Sequence, residues 1–298
     1  MAYIKNSLCP VCNNNKKLII LKIDQYTLLS CTRCKLLSLI PQQTKEKANY
    51  REILQINSYI QYMKPLREKQ YDTELKHLSK LTSRKKLLDI GCALGWFINY
   101  ARRNGYKADG LEPQKDLASQ AYKANPESTI YITTLEKIQT TKNYYDIITL
   151  WSVFEHFKDP KVALQKIAKL LHKNSLVAIR TPNSLSLTTR IGILLYKLSG
   201  RKIQMPLEAS FQLEFDSKHW FMFSPDNLSL FLRNHGFNIV TTYYSTSVDW
   251  RNIDVWLKSR NITQNPIKIF CMRLFFILNN VFTPFGFGDD FVIVAQKV

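Results

Sequence analysis

The sequence predicts an α/β protein: a doubly wound, mostly parallel sheet carries most of the chain, and a small cysteine-organised module precedes it. Three observations lead there. Residues 87–97, Leu-Leu-Asp-Ile-Gly-Cys-Ala-Leu-Gly-Trp-Phe, read as a buried strand, a glycine turn and the start of a helix. From Leu87 onward, apolar runs of strand length alternate with helical stretches, which implies parallel strands joined by crossover helices. Two C-x-x-C pairs stand near the N-terminus, outside that alternation.

Cys9-Pro-Val-Cys12 and Cys31-Thr-Arg-Cys34 are separated by 18 residues. That is the spacing of a four-cysteine zinc ribbon, in which two knuckles place four thiolates at the corners of a tetrahedron. Leu18–Ile23 and Tyr26–Leu29 between them read as a β-hairpin. Four cysteine ligands leave no open coordination position, so Zn2+ here is expected to be structural. Two disulfides are the other arrangement of four cysteines, but nothing suggests export, and cytosolic thiols stay reduced. A segment of this size, residues 1–42, buries little core, so the metal is expected to supply much of its folding energy. The ribbon serves either recognition or docking. Residues 43–84 are read as a linker and helical cover, with one or two helices over Glu52–Leu81. Tyr59, Tyr62 and Tyr71 either reach into a ligand pocket from that cover or pack as core.

The predicted strands lie near 87–90, 108–111, 129–132, 145–150, 175–180, 238–244 and 290–297. The predicted helices lie near 96–104, 114–124, 160–172 and 225–235, with a further one at Ile191–Leu198. Residues 85–298 form the main domain. Within it, 181–224 is longer than a strand-to-helix connection needs, and its aromatic content suggests a lid over the carboxyl ends of the strands.

The chemistry of the glycine turn narrows the ligand. Its spacing is Asp-x-Gly-x-Ala-x-Gly, not G-x-G-x-x-G, and Asp89 sits inside the strand end. A carboxylate there repels a pyrophosphate but suits a cationic, donor-rich ligand. Lys107–Leu111 reads as the next strand, and Glu112 ends it 23 positions after Asp89, close to the ~20-residue offset of a ribose-binding acid. Tyr144–Trp151 is a third strand pattern, followed by Ser152-Val-Phe-Glu155-His156-Phe-Lys-Asp159-Pro160. Together these three stretches resemble class I S-adenosylmethionine (SAM) dependent methyltransferases, most closely the small-molecule group that includes ubiquinone-biosynthesis enzymes.

The resemblance implies a Rossmann-like, seven-stranded sheet with the last strand antiparallel, and SAM as cofactor. It implies cofactor contacts at Asp89, Gly91, Gly95 and Glu112, at Leu135 in the loop where the family touches adenine, and at Trp151. The family often has an acid before that Leu; Thr134 stands there instead. Trp151 either faces the methionine moiety or packs on the sheet. The stretch His219-Trp-Phe-Met-Phe-Ser224 is similar to a family segment as well. Methyl transfer to a hydroxyl or activated carbon needs a base, and a histidine suits that role near neutral pH. His156 and His219 are the candidates. Each has a plainer role open to it: His156 as a helix-start residue bonded to backbone, His219 as a cap or core residue.

Composition bounds the rest. The net charge is +19, from 42 basic and 23 acidic residues. The charges are scattered, with Arg84-Lys85-Lys86 the densest cluster, which favours a solvated surface over a nucleic-acid footprint. An RNA methyltransferase that grips RNA with its ribbon is the rival reading. Against it, Trp151-Ser-Val-Phe154 is not the Asn/Asp-Pro-Pro-aromatic motif used on exocyclic amines. A non-catalytic scaffold on the same fold is a third reading, opposed by the intact Asp89, Gly91, Gly95 and Glu112. The N-terminus lacks a signal-peptide apolar run, and no stretch reaches ~18 uninterrupted apolar residues. A cytoplasmic protein without transmembrane helix is expected, acting on a small-molecule acceptor such as a sugar or other polysaccharide or secondary-metabolite intermediate. The most apolar stretch, Ile267–Phe287, reads as a core or lid helix that leaves peripheral membrane contact open.

Overall fold

A computed structural model of the chain describes residues 3–5, 8–23, 26–41, 57–139, 144–203, 207, 211, 218–245, 253, 254 and 266–298. The side chains of Tyr59 and Tyr62, the linker over 42–56 and most of 204–217 lie outside the described residues.

Seven strands form the main sheet: β5 (Lys86–Ile90), β6 (Lys107–Leu111), β7 (Ile130–Tyr131), β8 (Tyr145–Trp151), β9 (Leu171–Pro182), β11 (Phe237–Ser245) and β12 (Asp290–Lys297). Their order is β11-β12-β9-β8-β5-β6-β7. β5 pairs in parallel with β6 on one side and β8 on the other, so the winding reverses at β5. The crevice beyond the carboxyl ends at such a reversal is where an open α/β sheet binds its ligand. β12 runs antiparallel to both β9 and β11. Leu87, Leu88 and Ile90 are buried because helices cover both faces of a parallel sheet.

The helices follow from their local sequence. Trp96–Arg103 (α2) buries Phe97, Ile98 and Ala101 on one face. Lys115–Ala124 (α3) buries Leu117, Ala118 and Ala121. Pro160–Leu170 (α4) starts with Pro at its first turn, and the Asp159 carboxylate accepts from the amides of Lys161 and Val162. Pro225–Arg233 (α6) opens with a reciprocal Ser224–Asn227 capping box. The expected end of α4 near 172 is corrected: the helix stops at Leu170, and β9 begins at Leu171, earlier than the expected 175. Leu171 is fully buried opposite Tyr145, while polar His172-Lys173-Asn174 hid the strand start from a pattern search.

The cysteine module forms a second, antiparallel sheet of Tyr3–Lys5 (β1), Lys16–Ile23 (β2), Tyr26–Cys31 (β3) and Leu37–Pro41 (β4). Its last strand comes from far along the chain. Phe221–Met222 (β10) pairs with Ser38 and Leu37, and the Leu39 amide donates to the Trp220 carbonyl at 2.9 Å. The stretch expected to be a lid is thus partly a wall. Leu187–Leu198 (α5) sends Tyr196 to join Leu207, Phe211 and Met222 against Leu21, Ile23, Tyr26 and Leu28 of the module. The Tyr196 hydroxyl donates to the Lys22 carbonyl. Asn57–Leu81 (α1) lies across α2, with Tyr71 buried edge-on against Phe97 at 5.1 Å between centroids.

Candidate active site

The turn after β5 is shaped by two glycines that nothing larger can replace without movement. Gly91 has φ +72°, and a Cβ there would lie 2.5 Å from Val153 Cγ2. Gly95, φ +73°, caps α2, and a Cβ there would lie 2.6 Å from Asn125 Nδ2 and 3.1 Å from Ala121 Cα. The Asn125 amide donates to the carbonyls of Gly95 and Ala121 at 3.1 and 2.9 Å, which pins α2 to α3. Ala93 holds φ 47° although it is not glycine, a left-handed conformation that disfavours a Cβ.

Two buried acids flank this turn. The Thr149 hydroxyl donates to Asp89 Oδ1 at 2.7 Å. Burial pushes the Asp89 carboxyl up to about 8, with Thr149 opposing the rise. Glu112 accepts from the Ala93 amide on Oε2 at 3.0 Å and from the Gln114 amide on Oε1 at 2.9 Å. Burial raises it too. The Gly91 and Cys92 amides donate to the Leu111 carbonyl at 2.7 and 3.1 Å, so the turn is tied to the end of β6 just before Glu112. Two desolvated acids beside a glycine-lined turn fit a ligand that brings positive charge and hydroxyl donors.

Trp151 closes β8. Its ring meets Phe97 edge-on at 5.2 Å, and the Arg180 guanidinium carbon lies 5.6 Å from its centroid. Its indole Nε1 is buried without a partner among the described residues. Leu135 is buried in the core with Ile90 and Leu111.

The two histidines come together. His156 lies at the end of a 3-10 turn, Phe154–His156. Its Nδ1 sits 2.9 Å from the Lys218 carbonyl, so that nitrogen carries the proton and donates. Burial lowers its pKa, keeping the ring neutral. His219 is buried, 4.8 Å from His156 between ring centroids, with Nε2 3.9 Å from Glu155 Oε1. Glu155 is fully buried, and burial pushes its carboxyl up to about 8. These three side chains offer ligand atoms within 4.8 Å of one another.

In the N-terminal module Cys9 Sγ and Cys34 Sγ are 3.5 Å apart, as are Cys12 Sγ and Cys31 Sγ. The four ligand atoms lie within 4.8 Å of one another. These separations exceed a disulfide bond and approach the ~3.8 Å sulfur–sulfur edge of a tetrahedron with ~2.3 Å metal–sulfur bonds. Each knuckle ends in a left-handed residue, Asn13 or Lys35, whose amide returns to the first cysteine carbonyl at 2.9 or 3.0 Å.

Residues 62–242 match the family described as "Methyltransferase domain". The chain belongs to that family. Among curated relatives it resembles the ubiquinone biosynthesis O-methyltransferase of Aeromonas salmonicida, 30% identical over 104 residues, covering 33% of this chain and 44% of that protein. The counterpart in Bradyrhizobium diazoefficiens is 30% identical over 102 residues, covering 33% and 40%. The chain thus spans less than half the length of these relatives. The fold is that of a SAM-dependent methyltransferase from Archaeoglobus fulgidus, at a TM-score of 0.53 and 15% identity, covering 84% of this chain and 100% of that one. A putative sarcosine dimethylglycine methyltransferase from Galdieria sulphuraria gives a TM-score of 0.53, 15% identity and coverage of 86% and 94%.

This methyltransferase-family chain also holds site residues that the sequence reading missed. Thr149 is the Asp89 partner across β5 and β8, visible only once the strands are paired. Arg180, at the carboxyl end of β9, donates to Glu74 of α1 at 2.6 Å with both side chains buried. An isolated Arg in a strand and a Glu in a polar helix carry no shared sequence signal 106 residues apart.

Proposed function

We propose that this chain is a SAM-dependent methyltransferase acting on a hydroxyl of a small molecule, with a sugar-like intermediate of surface-polysaccharide or secondary metabolism as the acceptor class. The observation that carries the reading is the pairing of Asp89 and Glu112 at the ends of adjacent parallel strands, on either side of the Gly91–Gly95 turn. When bound, SAM supplies an electrophilic methyl on its sulfonium. Glu112 would accept hydrogen bonds from the ribose hydroxyls, Asp89 would ionise against the cationic end, whose charge offsets the cost of burial, and Gly91 and Gly95 would allow close backbone approach. The Leu135 loop borders the adenine side through its backbone, and Trp151 with α1 excludes water from the methionine side.

His219 is the base in this reading, with Glu155 facing its Nε2. His156 is a positioning residue: its ring holds the Lys218 carbonyl and so sets the segment that carries His219. The four cysteines hold a structural Zn2+. The family relationship, the two-acid turn and the activity named for the O-methyltransferase relatives support the assignment; no helix among the described residues is long and apolar enough to cross a membrane. Calorimetric titration with S-adenosylhomocysteine tests it. Wild type should bind, Asp89→Ala should bind at least about ten-fold more weakly, as loss of ~1.4 kcal/mol implies, and equal affinity of the two would place the cofactor elsewhere.

A further inference from the structure

Two helices present an apolar surface that stays exposed among the described residues. Pro266–Phe282 (α7) buries Phe276 and Asn279 on its inner side. Its outer side carries Phe270, Leu274 and Val281, with exposures of 67%, 47% and 57%, and the stripe continues to Phe285 beyond the helix end. These positions recur at three- to four-residue steps, close to seven over two turns, so they share one face. α5 packs against α7 and adds Leu194 and Leu198, the latter 75% exposed. Contiguous apolar surface of this kind marks an interaction site on a soluble fold.

The charge that the two helical segments themselves carry has one sign. From Leu187 to Ile203 the chain carries Arg190, Lys197, Arg201 and Lys202 and no acid; from Pro266 to Gly288 it carries Lys268 and Arg273 and no acid. Arg273 is paired with Asp254 at 2.7 Å. Lys197, Arg201 and Lys202 are exposed beside Leu198. The excess of +19 over the whole chain adds to their field. Position matters as well. α5 follows the carboxyl end of β9, and α7 lies in the connection from β11 to β12, where Pro182 and Ser245 both pair with Asp290. That is the end of the sheet at which Asp89, Glu112 and Trp151 gather.

We propose that the outer faces of α5 and α7 seat the protein on an anionic lipid surface. Apolar side chains enter the interface while Lys197, Arg201 and Lys202 meet lipid phosphates, the arrangement of an interfacial amphipathic surface. Resting on the active-site assignment above, this places the acceptor entrance toward the bilayer and makes the acceptor a lipid-carried small molecule.

Flotation of the full chain with vesicles tests the proposal. Wild type should float with phosphatidylcholine–phosphatidylglycerol vesicles, much less with phosphatidylcholine alone, and less as salt is raised. Phe270→Glu combined with Val281→Glu should cut partitioning by about ten-fold or more while keeping the wild-type melting curve and S-adenosylhomocysteine affinity. Leu198→Glu on α5 reads the same face independently should the double variant melt differently. No flotation of wild type, or undiminished flotation of these variants, overturns the proposal. So does a wild-type dimer in sedimentation that the same substitutions split, since the face then joins two copies of the chain. Failure of wild type to bind S-adenosylhomocysteine bears on the cofactor site alone and leaves flotation to be read by itself.

Discussion

Gly95 shows how one residue can be required twice. Its φ of +73° disfavours any Cβ, and Asn125 Nδ2 and the Ala121 backbone already occupy the space. Gly95→Ala is expected to destabilise by about 2–4 kcal/mol, summing left-handed strain and overpacking, and a denaturant titration reads it. Ala93 is the reverse case: φ 47° with a Cβ in place, so Ala93→Gly should keep stability or raise it by up to about 1 kcal/mol. The buried acids make a pH prediction. Asp89 and Glu155 have ordinary values of 3.8 and 4.5 and stand at about 8 in the fold. Between those limits the folded state binds more protons than the unfolded one, so stability is greatest at the acid end and falls as pH rises toward 8. The thermal midpoint of the ligand-free protein should decline across that window, and Asp89→Asn should flatten the decline. A midpoint that rises over the same range contradicts the burial of these carboxyls in their ionisable form.

At the scale of elements, α6 connects the cap, the core and the cysteine module. Ser224 and Asn227 satisfy each other's backbone amides, and Asn227 Nδ2 also donates to the Cys34 carbonyl at 3.4 Å. Ser224→Ala should cost about 1 kcal/mol as a lost N-cap, visible as a lower midpoint with an unchanged denaturant slope. β10 has a comparable double duty. It is only two residues long, yet it closes the module's sheet, and Trp220 beside it donates its amide to the Glu155 carbonyl at 2.9 Å. The segment carrying His219 is therefore held between the module and the main sheet.

At the scale of the molecule, the module and the main domain share a core. Cys9, Val11, Cys31 and Leu36 pack in one cluster with Phe154, Phe223, Leu228 and Phe231. Purified protein should contain about one zinc per chain. Chelation should then lower the stability of the whole chain in one transition, because the metal contributes to folding. Methyl transfer should drop further than S-adenosylhomocysteine affinity, since β10 borders His219 while Asp89 lies on β5 and Glu112 just beyond β6. Equal losses of both would mean that the module supports the fold without bearing on His219.

The local chemistry was legible in the chain itself. Asp89, Gly91 and Gly95 announce a strand, turn and helix because a left-handed turn and close backbone approach leave glycine as the residue that fits. The cysteine spacing announces two knuckles, and the period-two and helical patterns locate all seven strands of the main sheet. What needed the tertiary structure was the contact between segments that no shared motif links. The polar start of β9 broke the pattern that marks a strand. Residues 219–222 read as lid because their aromatics had no visible partner, and that partner, Leu37–Leu39, lies far upstream. Thr149 with Asp89, Arg180 with Glu74, and His219 with Glu155 are contacts whose energy comes from burial and geometry, which periodicity does not encode. The outer face of α7 belongs with them: its residues are as apolar as a core, and only packing decides which side of the helix meets the protein and which is left to meet something else.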